Sequence, residues 1–255
     1  MMREENWDNR LKVESGNEVT NQRDKLADEL RTLAGTWGAD LFGIADLTEA
    51  SSYLEREYGP GFKEFNRAIA MAVCFPREVI QELLEGPTHT YLHYYRVVNA
   101  RLDDLALRIT SYLQRQGFKA FPIPSSQRVS RDRLAGIFPH RLAAQLAGLG
   151  WIGKSGSLIT GEFGPRIRLV TVLTDALLLP NRSNWPNSAM LNCGECQLCI
   201  QSCPAGAIKG VNLPSAADSS LCFEPDLCDQ YQNRVRSQFG KRVCGVCLAV
   251  CPFGK

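Results

Sequence analysis

The chain has 255 residues, of which 44% are hydrophobic and 22% charged, and its formal net charge is +2. This length allows one large domain or one domain with a small module, and the balanced charge gives no indication of a broad nucleic-acid or membrane-binding surface. No apolar run reaches the roughly 18–20 residues of a membrane-spanning helix, and the polar start is unlike a secretory signal. We therefore expect a globular cytoplasmic protein without a membrane partner.

The first third of the sequence predicts a helix followed by two strands. Residues 1–22 are polar and lack periodicity, so they are interpreted as a flexible lead-in. Apolar residues at helical spacing then predict a helix that ends near Gly38. Two apolar segments, 40–45 and 68–75, are typical of buried strands. The second contains Cys74, which is interpreted as a small buried hydrophobic residue.

The middle of the sequence continues this alternation of helices and strands. Two helices and two strands are predicted over 91–116, 118–123, 141–149 and 167–174. The pattern predicts an α+β or α/β domain over residues 23–180. Residues 179–192 are rich in Pro, Asn and Ser and are interpreted as a linker, so the second domain is placed at residues 181–255.

Ten cysteines are the unusual feature of the composition, and all except Cys74 lie within residues 193–255. Such clustering, in a chain of this size with no secretory signal, favours metal ligation over disulfides. Residues 193–204 have the spacing C-x2-C-x2-C-x3-C-P, and residues 244–252 have C-x2-C-x3-C-P. These spacings are typical of bacterial ferredoxin-like proteins with two [4Fe–4S] clusters. Zinc fits less well, because a tetrahedral zinc site usually takes its four ligands as two cysteine pairs and does not need the x3-C-P residues that follow here.

In this ferredoxin-like pattern the cysteine that precedes proline ligates the other cluster, which assigns the ligands to two groups. The first group comprises Cys193, Cys196, Cys199 and Cys251. The second comprises Cys203, Cys244, Cys247 and one upstream cysteine, either Cys222 or Cys228. We favour Cys228, because residues 223–227 resemble the short lead-in before the isolated ligand of related proteins. Two adjacent clusters predict electron transfer rather than a purely structural role.

About 190 residues precede the cysteine module, so we expect the electrons to reach a site in the N-terminal domain. The sequence contains no phosphate-binding loop, dinucleotide fingerprint or H-E-x-x-H motif. Residues 147–154 read A-G-L-G-W-I-G-K, and three glycines so close together can let a backbone lie flat against a planar ligand. A glycine-rich turn between a helix and a strand is the alternative interpretation.

The A-G-L-G-W-I-G-K segment, a strand ending in L-T-D at 173–175 and the two cysteine motifs together resemble the epoxyqueuosine reductases and, more distantly, the reductive dehalogenases. The resemblance covers roughly residues 23–255. It implies a nitroreductase-like α/β domain that binds a corrinoid (cobalamin), whose cobalt the two clusters reduce. It also implies that the corrinoid is lined by Gly148, Leu149, Gly150, Trp151, Ile152, Gly153 and Lys154. FMN in the same pocket is the alternative cofactor.

The sequence departs from the epoxyqueuosine reductases at several positions. His93, Tyr94 and Tyr95 stand where those enzymes carry Asp-Tyr-His, and residues 121–127 lack their proposed acid. No C-terminal helical-repeat domain follows, so the closer resemblance is to the short epoxyqueuosine reductase-like proteins, and tRNA is not the expected substrate. We expect a small-molecule substrate or a partner corrinoid protein, and a low-potential electron donor such as ferredoxin or flavodoxin.

A reductive enzyme needs a proton donor beside the bond that it reduces. Reductive dehalogenases use a tyrosine, so the resemblance makes Tyr94 and Tyr95 candidates. His140 is a third candidate because an unperturbed imidazole titrates near neutrality. The alternatives are packed aromatic residues and a surface histidine. Arg166 and Arg168 alternate on a predicted strand and are candidates for binding an anionic group.

Overall fold

The computed structural model describes residues 16–129, 134–181, 193–213 and 221–254. Its helices are α1 (Gly16–Thr36), α2 (Ser51–Tyr58), α3 (Arg77–Gln81), α4 (His89–Arg115), α5 (His140–Leu146), α6 (Leu198–Gln201), α7 (Pro225–Phe239) and α8 (Val246–Ala249). Its strands are β1 (Leu41–Asp46), β2 (Arg67–Cys74), β3 (Ala120–Ile123), β4 (Trp151–Ile152), β5 (Leu158–Ile159) and β6 (Ile167–Thr174). In these ranges no helix is long and apolar enough to cross a membrane.

The main sheet has four strands in the order β1-β2-β6-β3, and every neighbouring pair is antiparallel. Strands β2 and β6 form its centre, with Met71 opposite Val170. A separate two-stranded sheet joins β4 to β5. Helices combined with an antiparallel sheet make this part of the chain α+β, within the mixed class that the sequence predicts.

The two faces of β2 explain how helices cover the sheet on both sides. Successive side chains of a strand point to opposite faces. Ile69 and Met71 belong to the hydrophobic core that contains the buried faces of α1 and α4. Ala68 and Ala70 belong to the opposite core, which contains the alanine-rich α5. Small residues on this second face let α5 and the chain that follows it approach the sheet closely.

Most predicted elements are present, with small differences at their ends. Strand β6 has the predicted bounds, and β1 and β2 are each displaced by one residue from prediction. Helix α1 begins at Gly16, so the last seven residues of the predicted lead-in are helical, while residues 1–15 lie outside the described residues. Of the predicted linker, residues 182–192 also lie outside them.

The cysteine module, here residues 193–254, packs against the N-terminal domain. The rings of Trp151 and Phe253 meet edge to face with centroids 5.1 Å apart. The side chain of Arg166 donates a hydrogen bond to the Gly254 carbonyl over 3.2 Å. Gly164 faces the backbone of Phe253 so closely that a Cβ atom there would overlap it. The start of β6 is thereby held directly against the end of the module.

Candidate functional site

The first cysteine group comes together as the sequence predicts. Cys193, Cys196, Cys199 and Cys251 line one small cavity, together with Cys247. Burial and the neighbouring thiols of Cys193, Cys251 and Cys196 raise the pKa of Cys199 to about 11. Thiols lie close together when each one raises the pKa of the other, because their thiolates repel each other. The iron ions of a bound cluster would compensate for this repulsion.

The second cysteine group also comes together. Cys203, Cys228, Cys244 and Cys247 line a cavity of about 240 Å³. Burial raises the pKa of the Cys247 thiol, and the nearby Cys244, Cys228 and Cys203 raise it further. Cys228 lies on the first turn of α7, where Gln232 Nε2 approaches its Sγ atom to 3.2 Å. Cys247 lines both cavities, so the two groups are immediate neighbours.

The two candidates for the eighth ligand occupy different environments. Cys222 is fully buried in the α5-side core, with 0% of its surface exposed, and does not line either cysteine cavity. Burial raises the pKa of its thiol, although the nearby Arg141 lowers it in part. The structure therefore brings Cys228, and not Cys222, to the second group.

Each group contributes four cysteines, which is the donor set of a [4Fe–4S] cluster. Among the described residues, no three His, Cys, Asp or Glu side chains are close enough to hold a single metal ion. A mononuclear zinc site needs its sulfur ligands about 2.3 Å from one centre, whereas a [4Fe–4S] cluster holds each thiolate on a different iron. The donor set and the two cavities therefore fit two such clusters.

The glycine motif lies outside a large cavity of about 810 Å³. Residues 148–154 do not line that cavity, and Trp151, Ile152 and Lys154 are buried. Gly150 packs on the backbone of Ile159, where a Cβ atom would overlap the carbonyl group. The glycine here therefore permits close packing beside β5, and corrinoid contacts of Gly148, Leu149, Gly150, Trp151, Ile152, Gly153 and Lys154 stay a prediction.

The large cavity of about 810 Å³ has a volume within the range of small-molecule and cofactor sites. Its walls come from both parts of the chain: His140 and Arg168 from the N-terminal domain, and Phe223 and Leu248 from the cysteine module. Arg168, Phe223 and Leu248 also line the second cysteine cavity. The large cavity and the second cysteine group thus share a wall.

Tyr95 lies at this shared wall. It lines the second cysteine cavity, and its hydroxyl lies 3.2 Å from the Oγ atom of Ser126, which lines the large cavity. The Arg168 guanidinium lies 4.6 Å from the centre of its ring. Burial raises the pKa of this phenol, but the charge of Arg168 and the hydrogen bonds with Ser126 and Asn99 together outweigh burial, so the pKa is lowered overall.

Tyr94, the neighbouring candidate, points elsewhere. Its side chain is 39% exposed and meets the ring of His93 edge to face, on the solvent side of α4. It lines neither the large cavity nor the cysteine cavities. Adjacent residues on a helix point about 100° apart, so Tyr95 and Tyr94 cannot both face the same site. The structure supports Tyr95 over Tyr94 as a group near the cavity.

His140 lines the large cavity, but its environment differs from the expected one. Its Nε2 atom lies 3.0 Å from the Pro124 carbonyl, which can only accept, so this nitrogen carries the proton. Its Nδ1 atom then accepts from the Thr171 hydroxyl at 2.8 Å. Burial lowers the pKa of His140 to about 4. The expectation of an imidazole that titrates near neutrality is therefore wrong, and the neutral ring joins the loop before α5 to β6.

Arg166, which directly precedes β6, and Arg168, which lies on β6, have different partners. Arg166 Nη1 lies 2.6 Å from Cys74 Sγ and donates to the Phe75 carbonyl over 2.7 Å. Cys74 is partly rather than fully buried at the end of β2, where it packs against the α5-side core while its thiol contacts the Arg166 guanidinium. Arg168 instead faces the large cavity and donates to Asn99 Oδ1 over 3.1 Å.

Comparison with known proteins identifies the cysteine module first. Residues 192–254 match the family model of a 4Fe-4S double cluster binding domain. This match agrees with the two groups of thiols described above. The module is therefore an iron–sulfur domain for two [4Fe–4S] clusters.

Curated relatives extend the similarity beyond this module. The chain is 28% identical over 169 residues to an epoxyqueuosine reductase of Synechocystis sp., which covers 64% of this chain and 52% of the relative. It is 29% identical over 169 residues to a tetrachloroethene reductive dehalogenase of Desulfitobacterium hafniense, covering 61% of this chain and 28% of the relative. The chain thus spans about half the length of the first relative and less of the second.

Solved structures with a similar fold come from the same two groups of proteins, the reductive dehalogenases and the epoxyqueuosine reductases. A reductive dehalogenase, whose structure is described as suggesting a mechanism for B12-dependent dehalogenation, superposes with a TM-score of 0.70 at 18% identity, over 92% of this chain and 32% of that one. An epoxyqueuosine reductase with an epoxyqueuosine-modified tRNA-Tyr stem loop superposes with a TM-score of 0.55 at 18% identity, over 90% of this chain and 65% of that one.

The fold and the paired cysteine groups define a two-cluster iron–sulfur protein with an N-terminal α+β domain. Within that class the chain is similar in sequence to the epoxyqueuosine reductases and to the reductive dehalogenases.

Proposed function

We propose that the chain is an iron–sulfur oxidoreductase that passes electrons through two [4Fe–4S] clusters to a corrinoid in the large cavity, for reductive chemistry on a small molecule. The observation that carries the proposal is the wall shared by the second cysteine group and the large cavity. The resemblance to proteins named as reductases, one group of which is described as B12-dependent, supports it. A nitroreductase-like origin of the N-terminal fold belongs to the same proposal.

The cysteine ligands follow from the two groups of thiols. Cys193, Cys196, Cys199 and Cys251 would hold the first cluster, and Cys203, Cys228, Cys244 and Cys247 the second. Cys247 lines both cavities, which makes a short route for electrons from the first cluster to the second. Leu198 and Phe253 are exposed beside the first group, so we place contact with the low-potential donor protein on this side.

The walls of the large cavity suit a corrinoid. Tyr53, Tyr58 and Phe138 provide flat apolar surface, while Arg128 and Arg141 add donors for the amide and phosphate groups that a corrinoid carries. A corrinoid held here would supply a cobalt centre that accepts the electrons and reacts with the substrate.

Tyr95 is the proposed proton donor and Arg168 its positioning partner. The guanidinium of Arg168 stacks on the phenol ring and stabilises the phenolate that remains after proton transfer. The hydroxyl of Ser126 can relay a proton between Tyr95 and the large cavity. His140 keeps its own proton in the hydrogen bond to Pro124 and holds the wall in place.

The decisive experiment is anaerobic purification from a host supplied with B12, followed by an absorption spectrum and analysis for iron and cobalt. We expect iron for two clusters and one cobalt, with a corrinoid absorption band. The matched control is the Cys203→Ser variant, which should lose iron at the second group while keeping the first.

Other outcomes would contradict the proposal in distinct ways. A bound yellow chromophore without cobalt would show a flavin reductase. Iron without any bound cofactor, together with reduction of an added corrinoid protein, would show an electron-transfer partner. Retention of an epoxyqueuosine-containing tRNA stem loop with reduction of its epoxide would show that the substrate is tRNA rather than a small molecule.

A further inference from the structure

Lys154, the last residue of the glycine motif, joins the N-terminal domain to the first cysteine group. Its side chain is 7% exposed, and its ammonium group donates to the carbonyls of Gly194 at 2.6 Å and Cys196 at 3.1 Å. Its backbone N–H points at Cys193 Sγ over 3.4 Å. One residue of the β4–β5 turn therefore contacts the C-x2-C loop at three points.

The buried charge of Lys154 needs a partner of opposite sign. Burying an ammonium group is costly unless a counter-charge and hydrogen bonds compensate for the lost water. Within the described ranges, no carboxylate forms an ion pair with Lys154. Two carbonyl dipoles alone leave the positive charge without compensation. The four cysteines beside it would supply negative charge once they are thiolates on a cluster.

We propose that Lys154 is a positioning residue that sets the reduction potential of the first cluster. Reduction adds one negative charge to a cluster, so a buried cation beside it stabilises the reduced form more than the oxidised form. The backbone N–H directed at Cys193 Sγ acts in the same direction, since hydrogen bonds to the sulfur ligands also tune the potential. The ammonium group also fixes the loop between Cys193 and Cys196, which aligns two of the four ligands.

The inference rests on the ligand assignment in the proposed function, but it does not depend on the corrinoid. Two arginines line the cavity of the second cluster, and in the contacts of the described residues neither donates to that group's cysteines as Lys154 does to those of the first group. Arg242 is exposed and paired with Asp229 at 2.9 Å, while Arg168 donates to Asn99 Oδ1 and stacks on Tyr95. The two cysteine groups therefore differ in electrostatic environment, and Lys154 acts on the potential of the first cluster.

The test is an anaerobic redox titration of the full chain, followed by the EPR signal of each reduced cluster, in the absence of corrinoid. Lys154→Met removes the charge with little change in length, and Lys154→Arg keeps it. Lys209→Met is the matched control, because Lys209 lies on the surface of the same module and pairs with Glu224. Repeating the titration in a Cys228→Ala background isolates the first cluster.

We expect Lys154→Met to lower one of the two potentials and leave the other unchanged, while Lys154→Arg and Lys209→Met stay near the wild-type values. Loss of one cluster's iron in Lys154→Met, with retention in Lys154→Arg, also supports the proposal because it shows that the ammonium group holds the loop. Unchanged potentials in a fully iron-loaded Lys154→Met protein overturn it. Wild-type protein that contains both clusters but binds no corrinoid contradicts the proposed function and leaves this result intact.

Discussion

The guanidinium of Arg168 stacks on Tyr95, 4.6 Å from the centre of its ring, at the wall between the second cysteine group and the large cavity. Burial alone would raise the pKa of this phenol, yet the arginine, Ser126 and Asn99 together lower it overall. Tyr95 is thus prepared to give up a proton more easily than an ordinary tyrosine. This pair provides a direct test of the proposed proton donor.

We predict that Arg168→Gln moves the ionisation of Tyr95 to higher pH, because the charge that favours the phenolate is removed. Ultraviolet difference titration of tyrosinate measures this directly. The wild-type titration should contain a tyrosine that ionises below the ordinary range, which is absent in Tyr95→Phe and present in Tyr94→Phe. A titration in which Arg168→Gln matches the wild type would contradict the pairing. In a reductive assay, Tyr95→Phe should lower turnover about 10²–10⁴-fold while both clusters remain.

The assignment of Cys228 predicts different losses for two cysteine variants. Cys228→Ala should lose about half of the iron after anaerobic reconstitution, because one cluster lacks its fourth ligand. Cys222→Ala should keep the iron of both clusters and lose about 1–2 kcal/mol of stability, as expected for a smaller side chain in a packed core. Iron analysis and chemical unfolding measure the two effects. The reverse pattern of iron loss would assign Cys222 as the ligand.

His140 predicts a dependence of stability on pH. Its pKa is about 4 in the folded chain and near 6.5 when unfolded, so the unfolded chain binds more protons between these values. Stability therefore falls as pH decreases from about 6.5 to about 4, by on the order of 3 kcal/mol from this residue. Urea unfolding midpoints at pH 7 and pH 5 measure the fall. It should be smaller in His140→Gln, and an equal fall in both proteins would show that His140 is not responsible.

Two glycine substitutions should change stability in opposite directions. Gly150→Ala places a methyl group against the backbone carbonyl of Ile159, which cannot move away easily, so we expect a loss of about 1–3 kcal/mol. Gly35→Ala lies on α1 with no atom within 4 Å of the new Cβ, and should gain about 0.5–1 kcal/mol through helix propensity. Thermal or urea unfolding compares both with the wild type. Equal effects would contradict the packing of β4 on β5.

The sequence was most informative about the cysteines, because metal ligands of one residue type recur there at a fixed spacing. The cysteine pattern led to both groups of thiols, and the resemblance of the segment before Cys228 favoured the residue that the structure brings to the second group. Strong apolar runs located β2 and β6 to within a residue, because a strand buried on both faces leaves a continuous signal. Local spacing and composition were enough for these features.

Features that depend on contacts between segments distant in the sequence were not predicted. Helix α7 was missed because, in the described chain, none of its residues is buried and so no apolar stripe marks it. The close approach of Ile159 to Gly150 was not predicted, because Ile159 lies on β5, outside the glycine motif. His140 was assigned an ordinary pKa because burial and the contacts with Thr171 and Pro124 arise from segments distant in sequence.

The large cavity is lined by residues of both the N-terminal domain and the cysteine module, which has a consequence for the order in which the cofactors bind. Phe223, Pro225 and Leu248 close one side of the cavity, and all three belong to the module whose thiols iron would organise. A chain that has not yet received iron would hold that side loosely, so loading of the proposed corrinoid should follow cluster assembly in time. Exposure to air that destroys the clusters should then release the proposed corrinoid as well. Iron and cobalt contents measured during oxidation would be expected to decline together.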